Sequence, residues 1–360
     1  FFIAGFGGAV WAALVPFAKT RAGLEAGGLG LLLLAFGIGS IIAMPLAGAL
    51  AGKYGCRRVL IASSLMVCVA LPALATVSSA PLLAASLFVL GAGVGSVDCV
   101  INIQAVIVER AAGKALMSGF HGLFSVGGIA GAAGCAGLLS FGASPITVSL
   151  VAAVFTAALL IWAAPHFLGF GGDTSGPAFA LPRGVVLFIG ILCFIVFLTE
   201  GAILDWSAVF LTSTRGADPA HAGFGYAAFA TTMTIGRLSG DAIVRRVSRT
   251  TIILVGGLLA ASGLLVATLV PSVTAAMIGF AMIGAGCSNI VPVLYSAIGK
   301  QTLMPESVAV PAVTTLGYAG ILMGPAAIGF VAHIASLPTA FLIISVFLIG
   351  VAASGRFLKV

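Results

Sequence analysis

Few side chains in this sequence can do acid–base or ionic chemistry, because its 360 residues hold only nine carboxylates and sixteen lysines or arginines. Asp98 is the foremost of them. It stands in Gly95-Ser96-Val97-Asp98, with Asn102 four residues on, inside an apolar run that starts near Leu82. As a helix, that run places Asp98 about 24 Å from its start, with Asn102 on the same face. A carboxylate beside an amide can bind hydroxyl groups, and a buried carboxylate can exchange a proton. Glu200 falls about 25 Å along a second apolar run counted from Arg183, in its expected outer third. Asp205, next to Trp206, lies about 140° around the same helix from Glu200, so the two do not form a paired-carboxylate site. Asp205 reads as a cap or interfacial anchor.

Three uncharged side chains join the candidates for solute binding. Asn289 lies about 24 Å into its run and suits hydrogen bonding to a solute. Tyr318 offers a flat face for a sugar ring, or plain packing, and Trp11 reads as a cavity wall or an outer interface anchor. His121 falls close to the start of its run and reads as packing or an inner-gate contact, and His333 as interfacial. At run ends, Arg57, Arg58, Glu109, Arg110, Arg237, Asp241 and Arg245 are expected to form a charge network that stabilises one access state. No run centre carries Lys or Arg on this reading, which favours neutral or cationic solutes.

The elements that must position these groups follow from composition. Hydrophobic residues make up 61% and charged residues 7%, against about 45–50% and 25% in soluble chains. So little charge cannot cover a water-exposed surface, and lipid must solvate most of the exterior. The 49 glycines suit close helix approach in that medium. Cuts at charge and turn clusters give twelve segments long enough to span a bilayer. Six run approximately Phe1–Ala18, Gly28–Ala51, Val59–Val77, Leu82–Val108, Gly119–Phe141 and Pro145–Ala164. Six more run approximately Gly184–Leu211, Ala222–Gly240, Ile252–Val270, Val273–Ile298, Val308–Ile334 and Thr339–Ala353. The expectation is an all-α membrane protein of twelve transmembrane helices in two pseudo-symmetric six-helix bundles. Residues 1–164 form the first bundle, 165–183 a cytoplasmic linker with Gly172, Asp173, Ser175, Gly176 and Pro177, and 184–360 the second.

Charge placement orients these segments. With both termini cytoplasmic, the inner loops hold Lys53, Arg57, Arg58, Arg110, Lys114, Arg183, Arg237, Arg245, Arg246, Arg249, Lys300, Arg356 and Lys359; the outer loops hold Lys19, Arg21 and Arg215. The net charge of +7 is thus explained by orientation and does not imply nucleic acid. The start at an apolar Phe1 reads as a first helix without its cytoplasmic tail. The six cysteines are scattered, with no C-x-x-C pair, and suggest neither a disulfide framework nor a zinc site. No Gly-x4-Gly-Lys-Ser/Thr loop and no His-Glu-x-x-His motif occurs, so neither ATP-driven transport nor metalloprotease chemistry has support, and no cofactor is expected.

The two halves also repeat. Gly48-Ala-Leu50-Ala-Gly52-Lys53-Tyr-Gly55-Cys-Arg57-Arg58 follows the second segment, and Gly236-Arg237-Leu238-Ser-Gly240-Asp241 with Arg245-Arg246 follows the eighth. Gly91-Ala92-Gly93 and Gly284-Ala285-Gly286 occupy equivalent places in the fourth and tenth. At these residues the chain resembles the major facilitator superfamily, whose loop signature is G-x-L-x-D-x-x-G-x-[RK]-[RK]. Gly48, Leu50, Gly55, Arg57 and Arg58 match it, whereas Gly52 stands at the acidic position. The resemblance implies that Asp241 supplies the analogous gating contact in the second half. Asp98 with Asn102 is similar to the acid-x3-Asn element of proton-coupled fucose-permease-like transporters. Glu200-Gly201-Ala202 with Asp205-Trp206, and Phe120-His121-Gly122, resemble a bacterial permease subgroup that includes the rhizopine-linked membrane protein of rhizobia. By kinship these imply a monomer in the bacterial inner membrane, surrounded by lipid, that moves a sugar- or polyol-like solute with protons. The alternatives are an exporter of lipophilic cations and a non-transporting receptor or partner protein.

Overall fold

The computed structural model describes residues 1–23, 26–171, 181–218 and 221–358. The linker residues Gly172, Asp173, Ser175, Gly176 and Pro177 lie outside them, as do Lys359 and the side chain of Lys19. Thirteen α-helices occur among the described residues: α1 (Phe2–Arg21), α2 (Ala26–Tyr54), α3 (Cys56–Thr76), α4 (Ala80–Ala112), α5 (Met117–Ser140), α6 (Pro145–Ala163), α7 (Gly184–Arg215), α8 (Phe224–Val244), α9 (Arg249–Leu269), α10 (Val273–Cys287), α11 (Ile290–Ile298), α12 (Glu306–Ile334) and α13 (Leu337–Ser354).

These make twelve segments, because α10 and α11 are one span interrupted at Ser288 and Asn289. The sequence suggested an unbroken helix there. Pro292 is the cause: it has no N–H for the Ser288 carbonyl, and its ring crowds that carbonyl. Asn289 absorbs the break at φ −109° and ψ −2°. Among the described residues, ten spans are long and apolar enough to cross a bilayer, with α10 and α11 counted together. The other two are α1, whose apolar part is Phe2–Ala18, and α8, which carries Thr231, Thr232, Thr234, Arg237, Ser239 and Asp241.

Helix starts are written locally. Ser144, Ser248 and Ser336 each accept a hydrogen bond from the amide of the threonine three residues on, at 3.1–3.2 Å. Gly216, at φ 68°, ends α7 in the left-handed region. Packing depends on absent side chains. A Cβ on Gly263 would lie 2.5 Å from the Gly279 carbonyl oxygen, and one on Gly256 would lie 2.5 Å from that of Gly286. Glycine at these positions therefore lets α9 and α10 touch backbone to backbone.

The chain forms two compact units. The first comprises Phe1–Ile107, Leu123–Leu181 and Met304–Pro311; the second comprises Val108–Gly122, Pro182–Leu303 and Ala312–Val360. The first is centred on a cluster that includes Phe6, Val10, Trp11, Leu14, Leu71 and Leu87. The second contains a triad of rings, Phe210, Phe280 and Phe341, with centroids 5.0–6.5 Å apart.

Candidate functional site

In the first unit, α4 is buried on all sides along its middle: every residue from Leu90 to Ile103 is buried. Gly91, Gly93 and Gly95 allow this. A Cβ on Gly91 would strike the Phe36 main chain of α2, and one on Gly93 would come within 3.1 Å of the Ser63 carbonyl of α3. Asp98 therefore sits mid-helix, 9% exposed and enclosed by protein. Asn102 donates through Nδ2 to the main-chain oxygen of Asp98 at 2.8 Å, so that the amide braces the helix turn. Its Oδ1 is buried without a hydrogen-bond partner among the described residues. An acceptor left this way costs about 1–3 kcal/mol.

The second unit holds a buried ion pair. Arg237 Nη2 donates to Glu200 Oε1 at 3.1 Å and Oε2 at 3.4 Å, with the side chains 7% and 18% exposed. This corrects two expectations. Glu200 is near the middle of α7, because the helix continues to Arg215. Arg237 is inside α8, because that helix continues to Val244. A buried cation thus exists, and the argument against anionic solutes loses its ground. Arg237 meets Glu200 instead of joining the loop arginines. His121 is within electrostatic reach of Arg237, and Cys193 and Cys287 of Glu200. Tyr226 is within reach of both members of the pair. Asp205 is exposed on α7.

At the α10–α11 break, Asn289 Nδ2 donates to the Gly236 carbonyl of α8 at 2.9 Å and to Ser288 Oγ at 3.1 Å, while Oδ1 is buried without a hydrogen-bond partner among the described residues. Gly240 is what admits it, since a Cβ there would collide with Asn289 Oδ1. Tyr295 of α11 bonds Thr314 of α12 at 2.8 Å and faces the His121 ring at 5.7 Å. His121 Nδ1 is 3.0 Å from the Met117 carbonyl, which is a packing role at the start of α5.

The first turn of α5 is held by two carboxylates. Glu109 Oε2 accepts from the Leu116 and Met117 amides, each at 2.8 Å. Asp241 accepts from Ser118 through Oδ1 and from Gly119 through Oδ2, each at 3.0 Å. Four consecutive amides that a helix N-terminus leaves unsatisfied are thereby satisfied, with negative charge at the positive end of the dipole. Arg245 and Glu109 are within electrostatic reach of Asp241. Asp241 packs close over Gly119, where a Cβ would lie 2.5 Å from its Oδ2.

The remaining candidates are dispersed. Trp11 is packed in the first unit's apolar cluster. Tyr318 is half-buried on α12, and Arg110 and Arg245 are exposed. Arg57 donates to the Phe167 and Pro165 carbonyls at 3.0 and 2.6 Å, and Arg58 is exposed close by. Sequence reasoning missed Gln104, whose Oε1 accepts from the Leu168 amide at 2.9 Å. It also missed the helix-capping use of Glu109, which an acid placed shortly before a helix start could have signalled.

Twelve helical segments with charged side chains buried at mid-helix make up a polytopic helical architecture. The chain belongs to the Major Facilitator Superfamily, whose sequence model matches residues 1–309. An uncharacterized transporter of this type from Yersinia pestis is 53% identical over 357 residues, 99% of this chain and 93% of the relative. The membrane protein MosC of Rhizobium meliloti is 31% identical over 350 residues, 96% of this chain and 84% of the relative. Among solved structures, FucP in its outward conformation superposes with a TM-score of 0.84 at 17% identity, covering 100% of this chain and 96% of FucP. A second structure of FucP, described there as the fucose:proton symporter of E. coli, gives a TM-score of 0.78 at 18% identity over the same shares of the two chains. At such identity the likeness shows the fold alone.

Proposed function

We propose that the protein moves a small polar, sugar- or polyol-like solute across the bacterial inner membrane by alternating access, coupled to protons. Both termini are cytoplasmic in this reading, with residues 1–164 and 184–360 as the moving halves. The observation that carries it is Asp98, a carboxylate buried at mid-helix beside an amide oxygen that has no hydrogen-bond partner among the described residues. An ionisable group in this position is expensive, about 2.5–3.5 kcal/mol on insertion scales, and is retained where it does work. Protonation of Asp98 couples to solute occupancy if the cost of its charge differs between access states. FucP, which shares the fold, supports a sugar-like solute and a proton as the coupling ion.

Asn102 and Asn289 offer hydrogen bonds to hydroxyls in this scheme, and Glu200 with Arg237 is a second ionic centre. The test uses sealed vesicles that contain the purified protein and a pH-sensitive dye, challenged with sugars and polyols and separately with lipophilic cations. The expected result is solute-dependent proton entry that Asp98→Asn abolishes while solute exchange down its own gradient persists. Proton entry unchanged in Asp98→Asn would remove the coupling role. Flux of lipophilic cations alone would establish the exporter reading instead.

A further inference from the structure

A cavity of about 400 Å³ lies where α2 turns into α3, lined by Gly52, Lys53, Tyr54, Gly55, Arg57, Arg58, Gly169 and Phe170. Its lining holds three cations and no carboxylate. The segment after α6 forms one wall. The Phe170 and Leu168 carbonyls accept from the Cys56 and Arg57 amides at 3.3 and 2.8 Å. The first two amides of α3 are therefore already satisfied and are not what attracts a ligand. The wall is fixed closely, since a Cβ on Gly55 would strike the Gly169 main chain and one on Gly171 the Ala51 main chain. Arg57 is aimed by two carbonyl acceptors, Phe167 and Pro165. Lys53 Nζ lies 5.1 Å from the centre of the Tyr54 ring.

Three like charges around one small space repel each other, and neither a carbonyl nor a ring supplies the missing negative charge. A carboxylate at position 52 would do so, but Gly52 has no side chain. The geometry points to a site for a phosphate-bearing anion, either the phosphodiester of an anionic phospholipid or inorganic phosphate, whose oxygens take the place of the absent carboxylate. The volume is within the range of small-ligand sites. Guanidinium and ammonium groups together are the usual phosphate partners. Tyr54 and Phe170, 43% and 57% exposed, add the aromatic character of a headgroup-level surface. With the orientation proposed above, the cavity opens at the cytoplasmic leaflet, where anionic lipid is available to basic pockets. The inference rests on that membrane reading and not on the transported solute.

The test measures the thermal midpoint and a binding isotherm of the full chain. In detergent, inorganic phosphate and short-chain phosphatidylglycerol are titrated at constant ionic strength. In nanodiscs, phosphatidylcholine is compared with a phosphatidylglycerol mixture. Wild type is expected to show saturable binding with a rise in midpoint. Arg58→Gln, at an exposed position, is expected to weaken binding about fivefold or more. Gly52→Asp, which supplies the missing negative charge, is expected to abolish the response. Saturation by phosphatidylglycerol that phosphate cannot displace identifies the lipid as the ligand; the reverse identifies free phosphate. A response that chloride reproduces, or one equal in wild type and Arg58→Gln, overturns the proposal, whatever the vesicle assays report for the solute.

Discussion

Glu200→Gln removes the negative partner of a guanidinium that is 7% exposed. At 3.1 Å and an effective dielectric of about 20, the attraction is about 5 kcal/mol. Much of it offsets the cost of taking two ions out of water, so the intact pair contributes little net stability. Removing one partner is a different matter, because the other stays buried without this counter-charge, at about 3–5 kcal/mol. The two single variants should differ in degree. A carboxyl stripped of its partner can be neutralised by a proton, whereas a guanidinium cannot shed one. Glu200→Gln should therefore cost more than Arg237→Gln, and the double variant should recover most of the loss. At roughly 2 °C per kcal/mol, the lower value for a body of 150–250 residues, the midpoint of Glu200→Gln falls by about 6–10 °C. Thermal unfolding in one detergent, with all four proteins in a double-mutant cycle, measures this. A Glu200→Gln midpoint equal to wild type, or a double variant as unstable as the sum of the singles, would refute the reasoning.

The carboxylate clasp on α5 predicts a split in amide exchange. Asp241→Asn should speed exchange at Ser118 and Gly119 and leave Leu116 and Met117 protected, and Glu109→Gln should do the opposite; hydrogen–deuterium exchange distinguishes them. Each should cost about 1–2 kcal/mol, as a lost charged cap does. Asn289→Ala removes the bond to Gly236 and should cost about 0.5–1.5 kcal/mol in a denaturant titration. Gly279→Val drives a side chain into the Gly263 carbonyl and should cost about 1–3 kcal/mol, read as a lower midpoint.

Twelve spans were legible because hydropathy is a sum over some twenty residues and tolerates local exceptions. The break at Ser288 and Asn289 was not, although Pro292 marks it, because proline within a membrane helix has several outcomes and only packing selects among them. The ends of α7 and α8 were set several residues short. The seventh segment was ended at Leu211, yet the hydroxyls of Thr212, Ser213 and Thr214 return to helix carbonyls or to one another, and the helix runs on to Arg215. That shift alone moved Glu200 to mid-helix and kept Arg237 inside. Asp241 was legible as an acid in the loop that recurs in both halves. The amides that donate to it were not, since main-chain amides are alike in every residue but proline and carry no sequence signature. Asp98 and Asn102 share a face as the i+4 spacing requires, but which atom of Asp98 the amide would choose is a matter of rotamers that spacing does not determine.

The clasp also has an order in time. Glu109 precedes the amides it caps by a few residues, so its half can close as soon as α5 is made. Asp241 is 123 residues beyond Ser118. At 5–20 residues per second the ribosome needs roughly 6–25 s to reach it. During that interval the start of α5 is only half satisfied, and α8 must be in place before the rest of the turn is secured. A nascent chain arrested before α8 would therefore carry an α5 entrance held by Glu109 alone.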